Sequence, residues 1–285
     1  MILAGTSRIA VLCHEKAGGG RSLEMAAALE TILHQKKIGH TVFINDWPDH
    51  LIGFTDVFIS GGDGSLNFFI NKYPACQIPL ALFRGGSGND FHWLLYGQTG
   101  LEAQVEQVIQ ATPKPLDAGE CNGRLFINGF GAGFEGEVAR ALVHKKKRPG
   151  KSSYLLTILR NIFSYRSQDY IISTESETFT GKRLLVDISN GRRAGGGFHV
   201  APTARADDGK LDLVLAAALP PLKRLYYLPR IEKGKHLHLP VIVHRVCLQV
   251  SIRSTRIFPF HMDGEYGEAN ALDIRILPGR FLFRF

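Results

Sequence analysis

Residues Gly61-Gly62-Asp63-Gly64-Ser65-Leu66-Asn67 follow the apolar run Asp56-Val57-Phe58-Ile59-Ser60 and lead directly into a helix-like segment. Strand, glycine turn and helix in that order bring bare backbone against an anion. Glycine has no Cβ, so the chain can take positive φ and approach closely. The first amides of the following helix point at the same place. A carboxylate inside such a loop would repel phosphate unless a metal ion stood between them, so Asp63 points to a nucleotide bound with magnesium. A second turn, Arg84-Gly85-Gly86-Ser87-Gly88-Asn89-Asp90, follows the run Pro79–Phe83 and offers amides, the Ser87 hydroxyl and the Asn89 amide. Taken alone, it also reads as an ordinary strand-to-helix turn with Asn89 or Asp90 as N-cap. Two such turns at neighbouring strand ends favour a nucleotide pocket. Neither turn closes with Gly-Lys-Ser/Thr, which excludes a Walker loop, and no G-x-G-x-x-G opens the first helix. Lys16-Ala17-Gly18-Gly19-Gly20-Arg21 is the nearest approach to that fingerprint.

The elements that must hold these turns follow from the spacing of apolar residues. Arg8–Cys13, Thr41–Asn45, Asp56–Ser60 and Pro79–Phe83 read as strands, and Leu23–Lys37, Ser65–Tyr73, Asn89–Leu95 and Glu102–Ala111 as helices. Their alternation predicts a doubly wound α/β domain over residues 1–116, with ligands at the carboxyl ends of its strands. After Pro113 and Pro115 the texture changes. Arg124–Gly129, Tyr170–Glu175, Leu184–Ser189, Leu211–Ala217, Val241–Ile252, Arg256–Phe260 and Leu272–Leu277 are strand-like, and only Phe134–Lys146, Ser152–Tyr165 and Leu222–Glu232 look helical. Residues 117–285 therefore read as a second, β-rich, sandwich-like domain, whose last strand, Arg280–Phe285, is free to pack back on the first.

With 285 residues, 45% of them hydrophobic and 21% charged, the composition is that of globular domains with real cores. The net charge of +8 attracts nucleic acid, anionic membranes or phosphorylated ligands without choosing among them. No stretch approaches 18 uninterrupted apolar residues, and no apolar leader follows Met1. Cys13, Cys76, Cys121 and Cys247 lack metal-ligand spacing and read as reduced thiols, which favours the cytoplasm. Lys145-Lys146-Lys147-Arg148 suits either the negative end of a helix or anionic headgroups. The apolar segment 154–165 just after it could be core or could line a lipid channel. His199, His236, His238 and His244 are scattered, and none is expected to act as a ligand.

On these motifs the chain resembles the diacylglycerol-kinase catalytic family of lipid kinases, soluble bacterial members above all, a family that also embraces sphingosine and ceramide kinases. Gly61–Asn67 resembles its G-G-D-G-T-x-N motif, and Gly86-Ser87-Gly88-Asn89-Asp90-Phe91 its G-T-x-N-D-F/L motif. Leu125–Glu137 is similar to the stretch that opens the family's second domain. Gly195-Gly196-Gly197 through Asp207-Asp208-Gly209-Lys210-Leu211-Asp212 resembles its G-G-G…D-D-G-x-L-D segment, and Asp263-Gly264-Glu265 its D-G-E. The motifs keep their order from about residue 8 to the end.

The resemblance implies transfer of the γ-phosphoryl group of ATP, with Mg²⁺, to a lipid hydroxyl such as that of diacylglycerol. It implies nucleotide contacts from Asn45, Gly61, Gly62, Asp63, Gly64, Ser65, Leu66, Asn67, Ser87, Asn89 and Asp90, with Asp63 near the metal. Glu265 would be the general base, a role that suits a carboxylate because phosphoryl transfer asks for positioning more than for a strong base. Read alone, Asp263-Gly264-Glu265 is also a β-turn. A Mg²⁺ in the second domain would take the Asp208 carboxylate and the carbonyls of Arg205 and Lys210, oxygen donors around a tight Gly209 loop; read alone, the segment is also a plain Asp-Gly turn before a strand. The implied partner is a lipid met peripherally at a membrane surface from the cytoplasm. No nucleic acid is implied, and a homodimer is allowed without being required.

The chain also departs from that pattern. His14-Glu15-Lys16-Ala17-Gly18 stands where the family has N-P-x-S/A-G, Ser65 and Ser87 replace threonines, Phe68 replaces a glutamate, and Arg84-Gly85 replaces proline and an apolar residue. Two rival readings follow. An NAD kinase shares the phosphate loop, although its second motif usually carries N-E rather than Asn89-Asp90. A nucleotide-binding regulator without catalysis would account for Phe68 and the altered first turn.

Overall fold

The computed structural model describes residues 7–143 and 151–285 and divides into two compact units, 1–116 with 279–285, and 117–278. The run 145–148 lies outside the described residues.

The first unit is a parallel sheet wrapped by helices. Strands β1 (Arg8–Cys13), β2 (Gly39–Ile44), β3 (Asp56–Gly61) and β4 (Leu80–Arg84) stand in the order β4-β3-β1-β2. Helix α1 (Arg21–Gln35) connects β1 to β2, and α2 (Asp63–Lys72) connects β3 to β4; α3 (Asp90–Tyr96) and α4 (Leu101–Gln110) follow. Strands covered on both faces read as continuous apolar runs, and Ile9–Cys13, Val57–Ile59 and Leu80–Phe83 are fully buried or nearly so. The order reverses between β1 and β3. In sheets of this kind the carboxyl ends of the strands at such a reversal are the usual ligand site. The C-terminal residues complete this unit. Phe283 pairs in parallel with Leu80, and the Arg284 guanidinium meets the buried Asp56 carboxylate at 2.6 Å.

The second unit is antiparallel. It holds β5 (Lys114–Cys121, from Asp117 onward), β6 (Arg124–Phe126), β7 (Gly129–Gly133), β8 (Gln168–Thr174), β9 (Thr178–Ser189), β10 (Leu211–Ala217), β11 (Ile242–Cys247), β12 (Gln249–Met262) and β13 (Glu265–Phe283, as far as Pro278). Two long strands build the sandwich. The first half of β9 pairs with β8 and its second half with β7 and β10. In the same way β12 pairs first with β8 and then with β7. Between the layers lies a core that includes Phe130, Tyr170, Val186, Leu213, Phe258 and Leu272. Helices α5 (Phe134–Val143), α6 (Lys151–Ser164) and α7 (Pro221–Glu232) complete this unit.

Several elements of this unit differ from those the sequence pattern predicts. Gly129–Gly133 is a strand although its sequence, Gly-Phe-Gly-Ala-Gly, carries few strand formers. Lys114–Cys121 is a strand that Pro115 hid. The apparent single run Val241–Ile252 breaks at Leu248, and its second part continues through Arg256–Phe260 as one long β12 with a register shift between Arg253 and Phe258. Among the described residues the helix expected over 134–146 runs to Val143.

Candidate functional site

In the first unit, three glycine turns nest at the carboxyl ends of the strands. A Cβ on Gly18 would lie 2.0 Å from the Gly85 carbonyl oxygen, and one on Gly86 2.4 Å from the Gly62 Cα. The Gly85 amide donates to the Gly61 carbonyl at 2.8 Å. The glycines are thus required first by one another, because backbone packs on backbone where any side chain would intrude. At the rim of this nest, Gly64 and Ser87 are exposed and Asp63 is half-buried at the start of α2.

Asp63 has a job within the fold. Its Oδ2 accepts from the Asp90 amide at 3.1 Å and its Oδ1 from the Phe91 amide at 2.9 Å. The carboxylate therefore caps α3 from across the nest, which suits the positive end of that helix. Asn89 closes its own turn, accepting from the Gly86 amide and donating to the Gly86 carbonyl, with φ at +57°. Ser65, Leu66 and Asn67 are buried, so their outward offering is backbone. Asn45, at φ +63°, accepts from the Glu15 amide at 3.0 Å and so ties the ends of β1 and β2 together.

Two features of this region have little signal in the sequence. Arg21, at the first position of α1, donates to the Gly18 carbonyl at 2.8 Å and reaches the Ser87 hydroxyl at 3.4 Å, which puts a cation over the nest. The signal was a basic residue directly after three glycines. The second feature joins the two odd residues of the first domain. The His14 ring stacks on Trp47 with centroids 4.6 Å apart, and Phe68 stands edge-on to both, at 5.0 and 5.1 Å. Burial holds the His14 pKa below its ordinary value. His14 and Phe68 are thus one packed unit, and a glutamate at 68 would have to sit against two aromatic faces.

In the second unit, Asp263 and Gly264 form the two-residue turn between β12 and β13, with φ of +48° and +90°. Positive φ at both positions marks the hairpin type that Asp-Gly favours. The Asp263 carboxylate accepts from the amides of Ile127, Asn128 and Gly129 at 2.8 to 2.9 Å. The turn is therefore bolted to the strand entering β7, and Glu265 projects from it exposed. The 205–210 loop is held separately. Asp117 accepts from the Gly209 amide at 2.7 Å, and Asp208 accepts from the Lys210 amide at 3.1 Å. Burial, followed by the charges of Asp212 and Asp117, raises the Asp208 pKa. A hard cation would relieve that crowding, so a carboxylate with two carbonyl oxygens fits Mg²⁺ chemically. Among the described residues, no group of three or more His, Cys, Asp or Glu side chains gathers in a way that could hold a metal.

Residues 8–121 match the diacylglycerol kinase catalytic domain model, and residues 129–282 match the YegS C-terminal NAD kinase beta sandwich-like domain model. The chain belongs to the diacylglycerol-kinase family. Within the family it is 26% identical over 276 residues to the "Probable lipid kinase YegS-like" protein of Shewanella frigidimarina, covering 89% of this chain and 87% of that one. It is 26% identical to the diacylglycerol kinase of Bacillus subtilis over 233 residues, 80% of this chain and 75% of the relative. Two Bacillus anthracis structures named for diacylglycerol kinases superpose over 98% of this chain and 97% of theirs, with TM-scores of 0.80 and 0.69 at 20% and 17% identity. At that identity they show the fold.

In this family member the second unit also carries an apolar pocket with about 660 Å³ of empty space, its open mouth included. Leu184, Leu185, Val214, Leu228, Ile231 and Ile242 line it. Arg224 braces it by donating to the carbonyls of Ile162 and Tyr165, which satisfies the last turn of α6. Two residues further along β9 and β10 the same face turns polar, at Asp187 and Asp212. The free thiols Cys13, Cys121 and Cys247 are buried and Cys76 is half-buried. Among the described residues no helix is long and apolar enough to cross a membrane.

Proposed function

We propose that this chain transfers the γ-phosphoryl group of ATP to the hydroxyl of a lipid, most simply diacylglycerol. The observation that carries the reading is the apolar pocket on the helix-covered face of the sandwich, whose lining suits an acyl chain. A dinucleotide acceptor would find few polar groups there, Arg224, Tyr227 and His236 among an otherwise apolar lining. In this reading the backbone at the rim of the glycine nest and the N-terminus of α2 take the phosphates. Ser87 and Arg21 supply a hydroxyl and a cation beside them, and Asn45 orders the adjoining loops. Asp63 keeps α3 aligned and leaves a negative edge that favours a nucleotide carrying its cation. Mg²⁺, when bound with ATP, neutralises charge on the transferred phosphoryl group. Asp208, with the carbonyls of Arg205 and Lys210, would hold a second, structural ion. Glu265 takes the proton from the attacking hydroxyl; the Asp263 clamp fixes the backbone that carries it.

The lipid is met at the membrane surface. Helices α6 and α7 expose Leu155, Leu156, Phe163, Leu222, Leu225 and Tyr226, alongside the exposed Lys223 and the half-buried Arg230. Apolar side chains framed by cations suit an anionic leaflet. The test is transfer from labelled ATP to diacylglycerol in mixed micelles, with NAD as a competing acceptor. Glu265→Gln should lower lipid phosphorylation by about 100-fold or more, the range of general acid–base contributions, with nucleotide affinity kept. Label on NAD, or full turnover by Glu265→Gln, would refute the acceptor or the base respectively.

A further inference from the structure

Strand β7 lies between β9 and β12, and its register sets Gly131 opposite both Asp187 and His261. The three residues form a row across three strands on the face away from the core residues Phe130 and Ala132. A side chain at the middle position would fill that row. Gly131 leaves it open, and Glu135, from the first turn of α5, occupies the space. A Cβ on Gly131 would lie 2.1 Å from Glu135 Oε2 and 2.7 Å from His261 Nε2.

His261 faces two ways from this row. Its Nε2 stands 3.8 Å from Glu135 Oε2, an oxygen that receives no hydrogen bond. Its Nδ1 faces the Gly264 amide at 3.4 Å. An amide can only donate, so Nδ1 must accept, and a neutral ring then carries its proton on Nε2, toward Glu135. Burial favours that neutral ring, and burial together with the Asp187 charge keeps Glu135 protonated well above the usual carboxylate range.

We infer that His261 and Glu135 are a positioning pair for the Asp263-Gly264-Glu265 turn. Asp263 is held by three amides of the neighbouring segment. The imidazole accepts from the amide of the next residue, Gly264, so each of the two residues before Glu265 has its own partner outside the turn. Neither His261 nor Glu135 touches substrate in this scheme. The pair acts by setting where the Glu265 carboxylate starts, and it rests on the reading of Glu265 as the base.

The test compares the full-length wild type with His261→Leu, His261→Asn, Glu135→Leu and Glu135→Gln. Asn keeps an acceptor where Nδ1 stands; Leu does not. Losing one net hydrogen bond of about 1 kcal/mol corresponds to roughly fivefold faster exchange of the Gly264 amide. His261→Leu and Glu135→Leu should show that acceleration by NMR, and His261→Asn and Glu135→Gln should not. In the transfer assay His261→Leu should lower kcat about tenfold or more with KM for ATP unchanged, because misplacement of a reacting group is felt in the chemical step. His261→Asn should restore most of that loss. Unchanged Gly264 exchange in His261→Leu, no rescue by Asn, or a wild-type ring whose ¹⁵N shifts place the proton on Nδ1 would each overturn the inference. That tautomer measurement needs no variant to fold. If wild type transfers no phosphate, or Glu265→Gln keeps its turnover, the function or the base is wrong, and Gly264 exchange still decides the pair.

Discussion

Replacing Asp187 by Asn removes one ionisable group from the row Asp187–Gly131–His261 and leaves its shape intact. Burial holds the Asp187 carboxyl at about 7, against the pull of the Ser189 hydroxyl that donates to it at 2.7 Å and with help from Asp212. A carboxyl whose pKa is raised on folding stabilises the protein below its unfolded pKa and loses that contribution as pH rises through the folded value. With an unfolded pKa near 3.9 and a folded one of about 7, most of the contribution still present at pH 5 is gone by pH 8. That loss amounts to about 2–3 kcal/mol, since a tenfold change in proton affinity corresponds to about 1.36 kcal/mol. His261 works the other way. Burial depresses it to about 4, so its contribution is present above about 6.5 and is lost on acidification. The two trends mask each other in wild-type stability but not in the difference between wild type and variant, where the histidine cancels. The introduced amide still accepts from Ser189, and with the Asp187 charge gone Glu135 is less perturbed, which acts in the same direction. Urea unfolding at pH 5 and pH 8 reads the effect. Asp187→Asn should gain about 2–3 kcal/mol relative to wild type on going from pH 5 to pH 8, with m unchanged. The same difference at both pH values would show that Asp187 is ionised throughout, and the account of the row would fail.

Asp63→Ala should cost about 1–2 kcal/mol in urea unfolding, the range for losing a helix cap, because two amides at the start of α3 lose their acceptor. Asp63→Asn should recover part of it, and full stability in the alanine variant would mean the cap is replaced by solvent. For the membrane face, the double variant Leu222→Glu, Leu225→Glu should bind anionic vesicles at least about tenfold more weakly, since each buried leucine contributes roughly 1.5–3 kcal/mol. Equal co-sedimentation of wild type and variant would remove α7 from the contact.

The first unit was legible almost to its ends, and the second was not, for a physical reason. Val57–Ile59 and Leu80–Phe83 are buried on both faces, so each strand is an unbroken apolar run that sequence displays directly. Strand β7 is shaped instead by what lies over it. Gly131 makes room for Glu135 and His261, and a Cβ on Gly136, in the first turn of α5, would lie 2.1 Å from the Pro259 carbonyl oxygen. Crowding by a helix selected glycine where a strand would favour β-branched residues, and it erased the signal from which a strand is read.

The candidate site shows the same limit more sharply at its two Asp-Gly pairs. Local chemistry makes Asp63-Gly64 a carboxylate needing a metal and Asp263-Gly264 a β-turn; that the turn carries a base is what the family resemblance implies. In the fold both carboxylates accept backbone amides from segments distant in sequence, Asp63 from residues 90 and 91 and Asp263 from residues 127 to 129. Each aspartate thus ties two loops together, with glycine beside it. A short acceptor can reach a row of amides where a longer side chain would overshoot. No local pattern announces such a tie, because its partners are set by topology. In the proposed function the acting residues are then the neighbours that these ties hold in place, Ser87 and Arg21 around one and Glu265 beside the other. Substitutions at the aspartates should therefore lower stability and activity together, and substitution at Glu265 should lower activity alone.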